Sequence, residues 1–264
     1  MFSLFKSLWG YRGFVLSSIR NEFTTRFARS RLGGLWMIIH PLAQVAIYAL
    51  VLSNVLAAKL PGIDNPYAYA IYLMAGMLAW NLFAEIVGRC LTLFIEQGNL
   101  LKKMMFPRIT LPAIVVGSCL LNNLMLLLAM LGVFALLGHT PGAAIVWLPA
   151  LILLVVAFSI GLGLFLGVLN VFIRDIGQVV PIILQTLFWL TPVVYPLSIV
   201  PERLKWLLDF NPLCALVVAF HDVLVYDVAP NLRDLAGIAV AAGVLMLLGL
   251  FVFRKASPEM VDAL

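Results

Sequence analysis

Residues 174–222 read RDIGQVVPIILQTLFWLTPVVYPLSIVPERLKWLLDFNPLCALVVAFHD, and their broken hydrophobicity determines how the rest of the chain must be arranged. The part up to residue 196 is apolar enough to form a membrane span. Residues 197–224 stay mostly apolar, but prolines and charges divide them into two pieces, each shorter than the roughly 20 residues that a spanning helix needs. Such irregular backbone is tolerated at membrane depth only where protein or a watery cavity surrounds it. We therefore predict a re-entrant hairpin of two gate helices, with gate residues Pro196, Pro201, Trp206, Asn211 and Pro212.

The composition is that of a membrane protein. Of the 264 residues, 64% are hydrophobic and 11% are charged, whereas a soluble domain carries about 25% charged residues. Several apolar stretches are long enough to cross a bilayer, some of them with tilt. The predicted fold is a single all-α transmembrane domain over residues 1–264, with six spans at 35–57, 68–92, 110–137, 145–169, 177–196 and 231–253.

The distribution of Lys and Arg among the loops predicts the orientation. With the N-terminus inside, twelve of these residues fall in cytoplasmic segments and four in external segments. Positive charge concentrates on the cytoplasmic side of membrane proteins. Both termini are therefore expected in the cytoplasm and the 197–224 hairpin outside. The net charge of +5 is read as an orientation signal, and no nucleic-acid partner is expected.

Residues 1–31 are predicted to form an amphipathic helix that lies in the membrane interface. Arginines occupy mostly the faces where they would meet anionic head groups. The alternative is that these arginines only mark a cytoplasmic flank. The apolar residues recur at helical spacing, at Leu8, Tyr11, Val15, Ile19, Phe23 and Phe27.

The short cytoplasmic loop at residues 96–108 carries apolar side chains where water is expected. Exposed apolar side chains rimmed by charge typically mark a partner site. We predict a short helix that docks into a cytoplasmic partner, with a helix lying on lipid head groups as the alternative. The residues predicted to make this contact are Leu100, Leu101, Lys102, Lys103, Met104, Met105, Phe106 and Arg108.

Glu85 and Arg89 form an acid–base pair within a predicted span. Their i, i+4 spacing places them on one helix face, where they can pair. A structural pair and a role in coupling or at the mouth of a pathway both remain open. Polar residues of other spans, such as Ser118 and Asn122, are expected either to form helix–helix hydrogen bonds or to line a pathway. The Gly-x-x-x-Gly motif at 163–167 indicates close helix packing.

No catalytic, metal or cofactor site can be recognised in the sequence. A phosphate-binding loop needs Gly directly before Lys, and none of the six lysines follows a glycine. The three cysteines lack metal-ligand spacing. The neighbours His221 and Asp222 point apart on a helix, so they do not suit a catalytic dyad. We expect no enzyme activity in this chain, and the energy for any pumping would have to come from a partner.

Three motifs in order carry a resemblance to a known family. They are RLGGLWMIIHPL at 31–42, NVFIRDIGQVVPIILQTLFWLTPVVYP at 170–196 and NPLCALVVAFHDVL at 211–224. With them the chain resembles the permease subunit of ABC transporters that export polysaccharides, namely the O-antigen, capsule and teichoic acid exporters. The likeness covers essentially the whole chain. The permease of a drug or lipid exporter with the same fold is the alternative.

The resemblance implies a homodimeric channel driven by two copies of a separate ATPase subunit, which would bind ATP and Mg²⁺. It also implies that the N-terminal helix is an interface helix, that loop 96–108 is the coupling helix and that hairpin 197–224 forms the external gate. The implied substrate is a polysaccharide linked to undecaprenyl diphosphate. The implied location is the cell inner membrane, with several passes.

Aromatic side chains on the spans are candidates for the substrate pathway, because sugars stack on aromatic rings and a moving polymer needs weak, repeated contacts. The alternative is that these aromatic side chains belong to the aromatic belt at the membrane interface. Arg29 and Arg31 are candidates for binding the lipid diphosphate through paired hydrogen bonds, with lipid head groups as the alternative ligand. The pathway candidates are Tyr48, Tyr72, Trp80, Phe83, Phe188, Trp189 and Tyr195.

Overall fold

The computed structural model describes residues 9–27, 33–36, 38–40, 42–43, 46–47, 67–103, 107–209, 211–257 and 259–260. Within these ranges the chain forms helices and turns and no strand, which confirms the predicted all-α class. The helices are α1 (Arg12–Phe27), α2 (Ala68–Glu96), α3 (Gly98–Lys103), α4 (Thr110–Leu136), α5 (Leu148–Phe172), α6 (Ile176–Leu190), α7 (Glu202–Asp209), α8 (Pro212–Leu224) and α9 (Leu232–Ala256). Short 3-10 turns occur at Gly33–Leu35, Ala143–Trp147 and Leu197–Ile199.

Four of the described helices are long and apolar enough to cross a membrane. They are α2, α4, α5 together with the 3-10 turn that precedes it, and α9. They coincide with the predicted spans at 68–92, 110–137, 145–169 and 231–253. Most of the predicted span at 35–57 lies outside the described residues.

The predicted span at 177–196 is only partly helical. Helix α6 has 15 residues, a length of about 22 Å, against a hydrocarbon core of about 30 Å. It ends because Thr191 is extended, at φ −106° and ψ 138°. A residue that precedes proline, here Pro192, is pushed out of the helical region. The count of six spans therefore stays a prediction.

Helix α2 is the centre of the fold. It packs against α4, α5, α6 and α8, and most of its side chains are buried. A helix that is apolar on nearly every face needs neighbours on every face. The start of α2 lies beside the turn that follows α6, where Tyr69 contacts Val194. The other end of α2, at Glu96, leads directly into α3.

Helix α5 is held between α2 and α9 by glycines. A Cβ atom at Gly163 would lie 2.8 Å from the Cβ of Cys90. A Cβ atom at Gly249 of α9 would lie 2.5 Å from the carbonyl oxygen of Gly161. Real Cβ atoms do not approach other atoms so closely, and the backbones can do so only because these residues lack a side chain. The Gly-x-x-x-Gly motif thus has the packing role that its spacing indicates.

Helix α1 packs against α4. Its half-buried face carries Val15, Ile19, Glu22 and Phe23, whereas Arg20 is exposed. The apolar positions of this face follow the helical spacing seen in the sequence, but an acidic residue lies among them. The placement of α1 at a membrane interface stays a prediction.

Candidate gate and substrate pathway

The turn that follows α6 is tied to the start of α2 by two tyrosines. The hydroxyl of Tyr69 donates a hydrogen bond to the carbonyl oxygen of Val194 at 2.6 Å. The hydroxyl of Tyr72 lies 3.1 Å from the carbonyl oxygen of Tyr195 and 3.3 Å from that of Pro192. Backbone carbonyls that leave a helix need such donors when they are buried. The two tyrosines therefore close the turn against α2.

Helix α8 is held to the same part of α2 by His221. The imidazole stacks on the Tyr72 ring, with centroids 3.6 Å apart and an interplanar angle of 15°. Its Nε2 atom lies 3.1 Å from the carbonyl oxygen of Tyr72. Because a carbonyl oxygen only accepts, Nε2 is the protonated nitrogen. Gly76 makes room for this contact, since a Cβ atom there would lie 2.8 Å from Nε2 and 2.9 Å from the carbonyl oxygen of Val193. We call the contacts of Tyr69, Tyr72, Gly76 and His221 the gate latch.

The ionisable groups of α8 agree with a structural role for His221. Burial lowers the pKa of His221 far below its usual value, and the hydrogen bond to Tyr72 offsets this only in part. Burial therefore favours the neutral form of the ring. Burial also raises the pKa of the neighbouring Asp222 carboxyl above its usual range. His221 bonds to Tyr72 and not to Asp222, as expected of adjacent residues on a helix.

Asn211 and Pro212 start helix α8. The side-chain oxygen of Asn211 accepts a hydrogen bond from the backbone N–H of Leu213 at 3.1 Å, and Pro212 occupies the first helical turn. Both residue types favour a helix start, as an N-cap and at the first helical position. The Asn211 amide also donates to the Thr191 hydroxyl at 2.9 Å. The end of α6 and the start of α8 are thereby joined.

The other predicted gate residues lie on the connection between α6 and α8. Pro196 precedes the 3-10 turn at 197–199, and Pro201 precedes α7. Trp206 lies on α7 with 57% of its surface exposed. Two short helical pieces, α7 and α8, are present where the sequence predicts them. Their depth in a membrane stays a prediction.

Four of the pathway candidates form one aromatic cluster between α2 and α6. The Trp80 ring centroid lies 5.6 Å from that of Phe83 and 5.4 Å from that of Phe188. Phe188 in turn meets Trp189 edge-on, at 5.3 Å. The first three rings are buried, whereas Trp189 is 53% exposed.

An open groove of about 320 Å³ runs beside this cluster. Its polar side chains are Asn81 and Gln185, one from each helix. Asn81 was not among the residues singled out from the sequence, although an amide on an apolar helix is a recognisable signal. Tyr72 and Tyr195, the remaining described candidates, belong to the gate region instead.

A charged cluster joins α1, α2 and α4. The Arg89 guanidinium of α2 makes a short ion pair with Glu22 of α1, and its other nitrogen lies 3.9 Å from Glu85. The Ser118 hydroxyl of α4 donates to the second oxygen of Glu22 at 2.8 Å. The Asn122 amide donates to Glu85 at 2.6 Å. Glu85 and Arg89 thus share a face as predicted, but Glu22 makes the closer contact with Arg89.

Glu22 is a residue that the sequence reasoning missed. Arg89 lies far from it along the chain, so no spacing rule connects them. One signal was available, because Glu22 is the single acid among residues 1–31. It also falls one turn after Ile19, on the face with the apolar residues.

The structure describes only part of the segment that is predicted to couple the chain to a partner. In α3, Leu101 is buried in the protein core and Lys102 is exposed. Beyond it, the Arg108 guanidinium donates to the hydroxyl of Ser257, after α9, at 2.7 Å. Leu101 therefore anchors the segment from inside. The predicted site residues that lie outside the described side chains are Arg29, Arg31, Tyr48, Lys103, Met104, Met105 and Phe106.

These features define a multi-pass, all-helical membrane protein whose central helix links a latched hairpin to a short loop helix. Among the described residues, no three His, Cys, Asp or Glu side chains are grouped as a metal site requires. A family model described as ABC-2 type transporter matches residues 14–225. The chain belongs to the ABC-2 type transporter family, and the resemblance drawn from the motifs is confirmed.

Relatives of known name match the chain along nearly its whole length. It is 27% identical to the O-antigen export system permease protein RfbA of Myxococcus xanthus, over 100% of both chains. It is also 27% identical to a protein of the same name from Klebsiella pneumoniae, over 93% of each chain. The polysialic acid transport protein KpsM of Escherichia coli is 25% identical, over 92% of this chain and 93% of its own.

Proposed function

We propose that this chain is the channel-forming permease subunit of an ABC transporter that exports a lipid-linked polysaccharide of the O-antigen type across the inner membrane. The observation that carries the proposal is the end-to-end match to O-antigen export permeases. A relative named for polysialic acid transport supports the same substrate class. The relatives named above do not favour the alternative, export of a drug or a lipid.

The groove between α2 and α6 is the proposed path of the polymer. It offers aromatic rings for the faces of sugar rings and two amides, Asn81 and Gln185, for their hydroxyl groups. None of its lining residues is charged. A neutral, partly aromatic lining gives contacts weak enough for the polymer to enter and to leave. The gate latch lies at the external end of the same helix α2.

The working channel is proposed to be a homodimer with two ATPase subunits beneath it. On α6, Val179, Ile182 and Ile183 are about half exposed or more, so an apolar face is free for a second copy beside the groove. The exposed Lys102 of α3 is available to the ATPase. ATP and Mg²⁺ would be bound in that partner. Both termini are proposed to lie in the cytoplasm.

Deleting the gene and restoring it tests the proposed function. We expect undecaprenyl-linked polysaccharide to accumulate inside cells that lack the chain. Export should return with the chain and an active ABC ATPase, but not with an ATPase that cannot hydrolyse ATP. Polymer is measured at the surface and in the cytoplasm by gel analysis and antibody labelling. Normal surface polymer in the deletion strain, or export without any ATPase, would contradict the proposal.

Replacing Trp189 with alanine tests the proposed path. We expect the initial rate of export to fall roughly two- to thirteenfold, as losing aromatic contacts worth about 0.5–1.5 kcal/mol would predict. Trp189→Phe keeps a ring and should recover most of the rate. Phe251→Ala removes an aromatic residue that is 66% exposed on α9 and serves as the control. Equal rates for Trp189→Ala and Phe251→Ala would place the path elsewhere.

A further inference from the structure

We propose that Glu22 is a positioning residue that clamps helix α1 to the α2–α4 pair, so that the three helices move as one body when the coupling segment moves. The inference rests on the proposed function, because it concerns how ATP-driven movement spreads through the permease. Both carboxylate oxygens of Glu22 are engaged, one by Arg89 of α2 and one by Ser118 of α4. One side chain thus joins three helices.

The charges of the cluster show why Glu22 cannot be replaced by a neutral side chain without effect. Glu85 is the other acid near Arg89, at 3.9 Å, and it also accepts a hydrogen bond from Asn122. Loss of the Glu22 charge would leave the half-buried guanidinium with the more distant Glu85 carboxylate as its counter-charge and with a weak contact to the Cys119 sulfur at 3.8 Å. Charge pairs away from bulk water interact more strongly than exposed pairs. A neutral residue at position 22 therefore weakens the attachment of α1 to α2.

The apolar contact of α1 with α4 does not make the clamp redundant. On the packed face, Val15, Ile19 and Phe23 are only half-buried. Ile19 lies directly over Gly117 of α4, where a Cβ atom would collide with its δ-methyl group. This contact reaches α4 but supplies no bond to α2. The ion pair with Arg89 supplies that bond.

The position of Arg89 along α2 determines which movement the clamp passes on to α1. Arg89 lies about two helical turns before Glu96, where α2 ends and the chain turns into α3. A push on α3 from a cytoplasmic partner would reach Arg89 before it reaches the gate latch at the other end of α2. Through Glu22, α1 is carried along with that part of α2.

The test compares Glu22→Gln with a cross-linked form in the complete complex with its ATPase, reconstituted in liposomes. We expect Glu22→Gln to keep ATP hydrolysis and to lose about tenfold in polymer exported per ATP hydrolysed. The added substitutions Ile19→Cys and Gly117→Cys, oxidised to a disulfide, hold α1 on α4 without replacing the bond to α2, so they should leave the ratio low. Arg20→Gln, a charge change at an exposed position of the same helix, should leave the ratio unchanged.

Each other outcome overturns the inference. Export per ATP by Glu22→Gln equal to that of the native chain would mean that the clamp has no role. Loss of export in the oxidised Ile19→Cys/Gly117→Cys chain that retains Glu22 would mean that α1 has to move against α4. Size-exclusion profiles and the reduced double-cysteine chain control for folding. A native complex that exports no polymer would instead contradict the proposed function, so the two failures are distinguishable.

Discussion

The variant Gly76→Val is expected to unlatch the proposed gate, so that liposomes containing the chain leak ions and polymer export is lost. A Cβ atom at Gly76 would lie 2.8 Å from Nε2 of His221 and 2.9 Å from the carbonyl oxygen of Val193. The second neighbour is backbone, which cannot rotate away as a side chain can. Overpacking of a well-packed core costs about 1–3 kcal/mol. The steric overlap is removed at the lowest cost in free energy if the hairpin moves away from α2. That movement breaks the hydrogen bonds of Tyr69 and Tyr72.

Gly88→Val is the matched control for this variant. Gly88 lies on the same helix, and a Cβ atom there would meet nothing within 4 Å. Both variants exchange glycine for valine inside the same helix, so their intrinsic change in helix propensity is equal and only the contact with the hairpin differs. Leak is measured by dye release and ion conductance in proteoliposomes. A tight, exporting Gly76→Val chain would show that the latch does not close the gate. Tyr72→Phe, which removes only the hydroxyl, should give a smaller leak and serves if Gly76→Val does not fold.

The latch also illustrates what sequence reasoning can and cannot reach. Prolines, charges and apolar runs predict a broken hairpin after α6, and α7 and α8 occur there. The partners of the hairpin are set by tertiary packing, since His221 and Tyr72 are distant in sequence. Gly76 is one glycine among 19, and nothing local distinguishes it. Only the fold reveals which glycine faces a backbone carbonyl.

In the charged cluster, too, one contact can be predicted from the sequence and another cannot. Spacing alone places Glu85 and Arg89 on one helix face, because that relation is local. The competing ion pair with Glu22 depends on how α1 lies across α2 and α4, which no helical period encodes. The end of α6 was missed for a different reason. Hydropathy continues beyond Leu190, but proline restricts the backbone of the residue before it, and that backbone rule outweighs hydropathy.

The packing of α5 on α9 leads to the second large effect, because Gly249→Leu is expected to prevent the chain from folding stably. A Cβ atom at Gly249 would lie 2.5 Å from the carbonyl oxygen of Gly161, and one at Gly161 would lie 2.5 Å from the backbone nitrogen of Met246. The two helices therefore touch backbone to backbone. A leucine would have to separate them along their length, and in a membrane such close packing is a main force that holds helices together.

Separation of α5 from α9 would also release the predicted coupling segment. Phe253 of α9 stacks on Phe94 near the end of α2, with centroids 5.6 Å apart, and Ser257 accepts from Arg108 at 2.7 Å. We expect the ratio of folded to unfolded Gly249→Leu chain in mild detergent to fall by at least about tenfold, which corresponds to roughly 1.4 kcal/mol. Any folded remainder should hydrolyse ATP with its partner without exporting polymer.

Gly243→Leu, on the same helix α9, separates this effect from that of leucine in general. A Cβ atom at Gly243 would meet nothing within 4 Å, and leucine is a better helix former than glycine. Its folded yield should therefore equal or exceed that of the native chain in fluorescence-detected size exclusion. Equal losses in the two variants would mean that α9 does not depend on its contact with Gly161. Loss confined to Gly249→Leu would identify the α5–α9 contact as the support that holds Phe253 against Phe94 and Ser257 against Arg108, next to the predicted coupling segment.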